Sequence, residues 1–163
     1  MSGRTFRRTA LAGAALATAL GTAAILAACG SDGSGGAAAA GARLSIADPY
    51  IPLPAAGAMA AGYLTVRNTG GADELLKVSS PGAGSVTMHR STDTTMETVE
   101  ALTVPAHGTL DFARGGAHLM IMGWTKQPAV GDKLELDLTF AKAGTIAVEV
   151  PVEPLTYRPG RQN

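Results

Sequence analysis

Cysteine is nearly missing from this sequence: Cys29 is the only one in 163 residues. A disulfide framework is therefore excluded, because a single thiol has no partner in its own chain. A surplus of one charge is missing too. Lysine and arginine number 13 and so do aspartate and glutamate, for a formal net charge of zero. A chain without a broad basic surface has no electrostatic footprint for nucleic acid. The motifs of common enzyme chemistry are also absent. There is no Ser/His/Asp set, no Cys/His pair, no phosphate-binding loop and no paired-carboxylate motif. Nor is there an internal repeat, or a convincing helical period beyond residue 28.

What is present begins with an export segment. Arg4, Arg7 and Arg8 form a basic start, and an apolar run from Thr9 to Ala28 follows without any acidic residue. That order is the pattern of a signal peptide, here residues 1–28, rather than of a structural helix. The run ends in "LAAC", residues 26–29, which resembles the bacterial lipobox. Cys29 is then the expected lipidation site and first residue of the mature protein, anchored to the cell membrane outside the cytoplasm. Acyl chains contribute about 0.8 kcal/mol per buried methylene to such an anchor. The Arg7-Arg8 pair is compatible with either general or twin-arginine export. Lipidation uses up the only cysteine, so the mature domain has no thiolate for catalysis or for metal. Removing three of the 13 basic residues leaves the mature chain at a formal −3.

Residues 29–42 contain the low-complexity stretch "GSDGSGGAAAAG", whose side chains are too small and polar to build a core. It reads as a flexible tether, with a reach of about 20 Å on random-coil scaling. Residues 43–155 form the folded domain, and 156–163 a polar tail. From Arg43 onward the hydrophobic period is two. "LELDLTF" sets Leu134, Leu136, Leu138 and Phe140 on one face, and "TIAVEVPV" sets Ile146, Val148 and Val150 on one face. "GYLTVRN", "DELLKVSS", "GSVTMHRS", "METVEAL", "GTLDFAR" and "AHLMIMG" are further strands, separated by turn signals such as Pro81-Gly82 and Gly115-Gly116. Many short alternating strands predict an all-β antiparallel sandwich.

Two of these strands concentrate histidine and methionine. His89, Met96, His118 and Met120 are borderline and soft neutral donors, a set that suits copper(I) better than zinc, calcium or magnesium. In an extended "HLM", His118 and Met120 share a face while Leu119 takes the other. His89 and Met96 flank the polar "RSTDTT", which can fold back to bring a second His and Met beside the first pair. Met122 shares the face of His118 and Met120 and is a possible further metal ligand. Met88 points the other way, toward packing. Methionine is also a common core filler, and a strand histidine often only hydrogen-bonds. His107 lies in a Pro-Ala-His-Gly turn and is expected at the surface, and Met59 has no partner in the sequence pattern.

The ordered pattern resembles the PCu(A)C copper chaperones, whose motif is a histidine, a downstream methionine, 21 residues, then His-X-Met. Here Met96 is followed by 21 residues and then by His118-Leu119-Met120. "GGAHLMIMG", "YLTVRNTGGADELLKVSSP", "VPAHGTLDF", "KQPAVGDKLELDLTF" and "VEVPV" occur in the family's order, covering about Leu44 to Val152. One departure stands out: the family commonly places ten residues between the first histidine and methionine, whereas His89 and Met96 enclose six. A four-residue deletion in the intervening loop is the simplest account.

The resemblance implies a cupredoxin-like antiparallel β-sandwich that holds one copper(I) through His89, Met96, His118 and Met120. A blue-copper electron carrier needs a cysteine thiolate with two histidines, and the mature domain has none to offer. The implied role is carriage to a copper-accepting protein, a cytochrome c oxidase subunit or an assembly factor of its copper sites. Copper tolerance is a second use of the same site. The tail from Thr156 to Asn163 has no histidine or methionine, so specific copper(II) binding is not expected there. A reading from another class is a metal-free lipoprotein sandwich that serves as an adhesion or assembly module.

Overall fold

Alternation with a period of two requires a sheet whose one face is buried, and the computed structural model shows where that face goes. It describes residues 41–55 and 59–160; the export segment, Cys29 and nearly all of the tether lie outside them. The described residues form ten strands and no helix: β1 Leu44–Pro52, β2 Met59–Asn68, β3 Asp73–Ser79, β4 Ala83–Ser91, β5 Met96–Thr98, β6 Leu102–Val104, β7 Thr109–Phe112, β8 Ala117–Trp124, β9 Lys133–Phe140 and β10 Gly144–Glu153.

The strand order is β5-β4-β8-β7-β2-β1-β10-β9-β3-β6, with β8 also pairing β2 directly. A short parallel contact of β1 with β10, at Ile51 and Pro52, joins the halves. The β10-β9-β3-β6 half curls over the other, and the inward residues of both merge into one core. Leu134, Leu136, Leu138 and Phe140 all enter it, as their alternation predicts. Leu119 and Ile121 of β8, Met88 of β4 and Leu64 of β2 meet them from the other half. Each fully buried aliphatic side chain contributes about 1.5–3 kcal/mol. The sandwich is antiparallel except at β1–β10 and at one β7–β8 pair.

Two strands differ from the sequence expectation. "METVEAL" is not one strand but two: β5 pairs with β4, whereas β6 crosses to pair with β3 in the other half. Glu100 bends the chain between them. β1 was not distinguishable as a strand, because its alternation is broken by an irregularity between Ala47 and Tyr50, with Asp48 at φ 50°.

Two buried polar side chains tie the loops. Asn68 donates through Nδ2 to the carbonyls of Gly71 (2.7 Å) and Pro105 (3.0 Å), and its Oδ1 accepts from Gly70 N and Arg43 N. The Asp73 carboxylate accepts from the backbone N–H of Glu74, Lys142 and Ala143 at 2.8–2.9 Å. Burial alone would raise the Asp73 pKa, but these donors and the Lys142 charge outweigh it and hold the carboxyl below its ordinary value.

At the other end, Tyr157 packs on Tyr50, which packs on Tyr63, each pair with ring centroids 5.1 Å apart. The chain after β10 thus lies against the β1–β2 face through an aromatic contact.

Candidate metal centre

In an antiparallel pair, residues directly opposite each other project from the same face. The register of β4 against β8 pairs His89 with His118 and Thr87 with Met120. The register of β4 against β5 pairs His89 with Thr98 and Ser91 with Met96. Met96, His89, His118 and Met120 therefore all stand on one face across three neighbouring strands. It is the face turned away from the core, since the alternate residues Met88, Leu119 and Ile121 are buried inside. Met96 lies diagonal to His89, within the roughly 7–8 Å that long side chains span across a sheet.

The six-residue segment between His89 and Met96 closes as a tight hairpin. Thr92 N donates to Thr95 O at 2.8 Å, and Thr95 N donates to Thr92 Oγ1 at 3.1 Å. The turn keeps Met96 in register beside Ser91, so a six-residue separation still delivers it to the histidine face.

The imidazoles are stacked, with centroids 5.7 Å apart and planes 22° apart. Each is steadied by a group two residues earlier in the chain. His118 Nδ1 lies 3.2 Å from the carbonyl of Gly116. A carbonyl only accepts, so Nδ1 is the donor in this contact. The Gly116 oxygen also accepts from Ser91 N at 3.1 Å, which fixes its position. His89 Nε2 meets Thr87 Oγ1 at 2.9 Å, a hydroxyl able to donate or accept. His89 Nδ1 is buried and has no hydrogen-bond partner. A buried ring nitrogen without a partner loses its hydration uncompensated. Burial, and then the nearby His118, push the His89 pKa below 6.5. The ring is thus neutral at pH 7, the form in which imidazole offers a lone pair to a metal.

Exposure differs across the set. His89 retains 9% of its surface, whereas Met96 retains 56% on the edge strand β5. His118 and Met120 are half-buried. Among the described residues no three His, Cys, Asp or Glu side chains cluster as a metal site, so a third side-chain ligand on this face would have to be a thioether. Thioethers favour a soft ion over zinc, calcium or magnesium.

Met122 projects on the same face as His118 and Met120, and Met88 is buried on the other, as the alternation predicts. His107 is exposed in its turn at φ 51°. Sequence reasoning missed Thr87 and Gly116, the groups that orient the rings. Thr87 was within reach, since a residue two before a strand histidine shares its face. It also missed Met59, which stands directly opposite Met122 across the β2–β8 pair, a register with no local sequence signal.

Two glycines let these strands approach. A Cβ on Gly62 of β2 would lie 3.2 Å from Ile121 Cδ1 and 3.3 Å from Leu119 Cβ, in the core beneath the site. Gly123, at φ 67°, follows Met122 on β8; a Cβ there would meet the Gly84 backbone at 3.2 Å.

Comparison with known proteins identifies the fold and the family. The copper-bound PCuAC domain from PmoF2 superposes with a TM-score of 0.62 at 28% identity, over 70% of this chain and 95% of that one. The solution structure of the CuI form of DR1885 from Deinococcus radiodurans gives 0.59 at 26% identity, over 75% of this chain and 85% of that one. The fold is the cupredoxin-like β fold of those domains. A lipoprotein of Leifsonia xyli subsp. xyli (strain CTCB07), Lxx21020, is 33% identical over 101 residues, or 58% of this chain. The match spans 61% of that relative's length. Residues 44–152 match the model of the lipoprotein LpqE-like family. With every strand but the end of β10 inside that match, the chain belongs to the LpqE-like family.

Proposed function

We propose that this protein is a copper(I) carrier, lipid-anchored through Cys29 outside the cytoplasm, that binds one ion through His89, Met96, His118 and Met120. The reading rests above all on one observation: His89 and His118 are directly opposed on adjacent strands, with Met120 and Met96 on the same outward face. The partnerless His89 nitrogen supports it, because a metal bond would satisfy an otherwise uncompensated group. The likeness to a copper-bound PCuAC domain and to a CuI protein supports the choice of ion. The lipoprotein relative and the "LAAC" segment support the anchor.

Four neutral donors add no charge of their own, so the loaded site carries only the ion's single positive charge. Thioethers are weak ligands and exchange one at a time, which lets an acceptor take over the ion without its release to water. The function is therefore carriage rather than catalysis. The proposed recipient is a copper-accepting protein, either a cytochrome c oxidase subunit or an assembly factor for its copper sites.

Competition for copper(I) against a coloured chelator tests the binding step. The purified protein is expected to withdraw about one equivalent, and failure to withdraw any would end the carrier reading. Oxidase activity in a deletion strain, with and without added copper, tests the destination. A deficit rescued by copper is expected, and an unchanged oxidase would remove that recipient.

A further inference from the structure

The outward row of β8 does not stop at Met120. Met122 follows on the same face, and Met59 of β2 stands directly opposite it. Both are open to solvent, Met59 at 56% and Met122 at 39%. Beside them, Ala61 of β2 and Thr87 of β4 oppose Met120, while Ser85 of β4 opposes Met122. The three methionines thus form one thioether patch with only small, uncharged side chains between its members. Directly opposed residues have Cβ atoms about 4.5–5.5 Å apart, within easy reach of one ion for two flexible thioethers.

Packing does not account for this placement. The inward positions of β8 are Leu119 and Ile121, both fully buried, and the outward ones are His118, Met120 and Met122. Methionine as core filler would belong inside; here β8 reserves it for the solvent side. A solitary exposed methionine would need no explanation. Met59 and Met122 face each other, and the next residue in their row is a proposed copper ligand.

We infer that Met59 and Met122, with Met120 as the shared donor, form a transfer site through which copper(I) reaches and leaves the His89/His118 centre. The inference rests on the copper(I) reading above. Three neutral thioethers are a soft donor set suited to copper(I) and silver(I). On departure, the bonds from the ion to the imidazoles and to Met96 break while bonds to Met122 and Met59 form, and Met120 stays bound throughout. The ion remains monovalent, no electron moves, and no proton is displaced because every donor is neutral. The all-thioether station is the weaker and more exposed of the two, which suits an ion about to be taken by an acceptor.

The test follows the methionine methyl signals by NMR during silver(I) titration of the purified protein, together with stopped-flow transfer of copper(I) to a chelator. The signals of Met96 and Met120 are expected to move with the first equivalent. Those of Met59 and Met122 are expected to move with the second. The Met59→Leu/Met122→Leu double variant should lose the second step and slow transfer by on the order of tenfold, the consequence of removing donors from the exchange path. Met88→Leu, on the buried face, controls for a general effect of losing a methionine and should transfer at the wild-type rate. If the wild-type protein takes up no first equivalent, the carrier reading itself fails. If it does, and the double variant transfers at the wild-type rate while the Met59 and Met122 signals stay still, the transfer site alone is overturned.

Discussion

Replacing Met120 with leucine separates a structural from a ligating role. Met120 is half-buried on the outward face of β8, opposed by Thr87 and Ala61, so no core neighbour depends on its sulfur. Methionine and leucine are close in volume, and such exchanges cost under about 1.5 kcal/mol even in cores. Against the roughly 5–15 kcal/mol that holds a domain together, the variant stays folded. The proposed centre, however, loses one of its two thioethers. His89 and His118 remain opposed and Met96 remains on β5, so binding is weakened rather than abolished. We expect a loss of about tenfold or more in copper(I) affinity, equivalent to about 1.4 kcal/mol. Chelator competition measures the affinity, and urea unfolding of the metal-free protein measures the stability. A variant with unchanged affinity and unchanged stability would refute the reasoning, because Met120 could then be neither ligand nor support.

Other substitutions probe the surroundings. Thr87→Val keeps the β-branched shape but removes the hydroxyl 2.9 Å from His89 Nε2; groups that orient a metal-binding histidine are worth about 10–100-fold in affinity, and the same competition reads the loss. Asn68→Asp replaces two satisfied donors with a buried carboxylate facing the carbonyls of Gly71 and Pro105. It should destabilise the domain by at least about 1–3 kcal/mol in chemical denaturation. Asp73 supplies a pH dependence. Its folded pKa is lowered relative to the ordinary 3.8, so its contribution is full well above that value and is lost as pH falls from there through the folded pKa. The Asp73→Asn variant should therefore be less stable than wild type at pH 7, and the gap should narrow as the pH is lowered below about 4. A constant gap across that range would show that the carboxylate charge is not what the three backbone donors stabilise.

Much of this was legible because strands write their faces into the sequence. Leu134 to Phe140 alternate strictly, and every apolar member reached the core. His118 and Met120 could be placed together by period alone, and Met88 could be set apart from His89 the same way. What stayed hidden was register. That His89 lies opposite His118 rather than one step along depends on the turns and on how β4 and β8 are anchored elsewhere. The pairing of Met59 with Met122 joins residues 63 positions apart, with no local signal at all. The splitting of "METVEAL" was hidden for a related reason. Alternation survives across Glu100, and only the partner strands reveal that the chain has changed sheets.

X-ray absorption at the copper edge of the copper(I)-loaded protein tests the central claim most directly, because it counts the donor atoms around the ion. The account predicts two imidazole nitrogens and two thioether sulfurs around a single monovalent copper, with one sulfur lost in the Met120→Leu variant. A first shell of oxygen and nitrogen alone would contradict it.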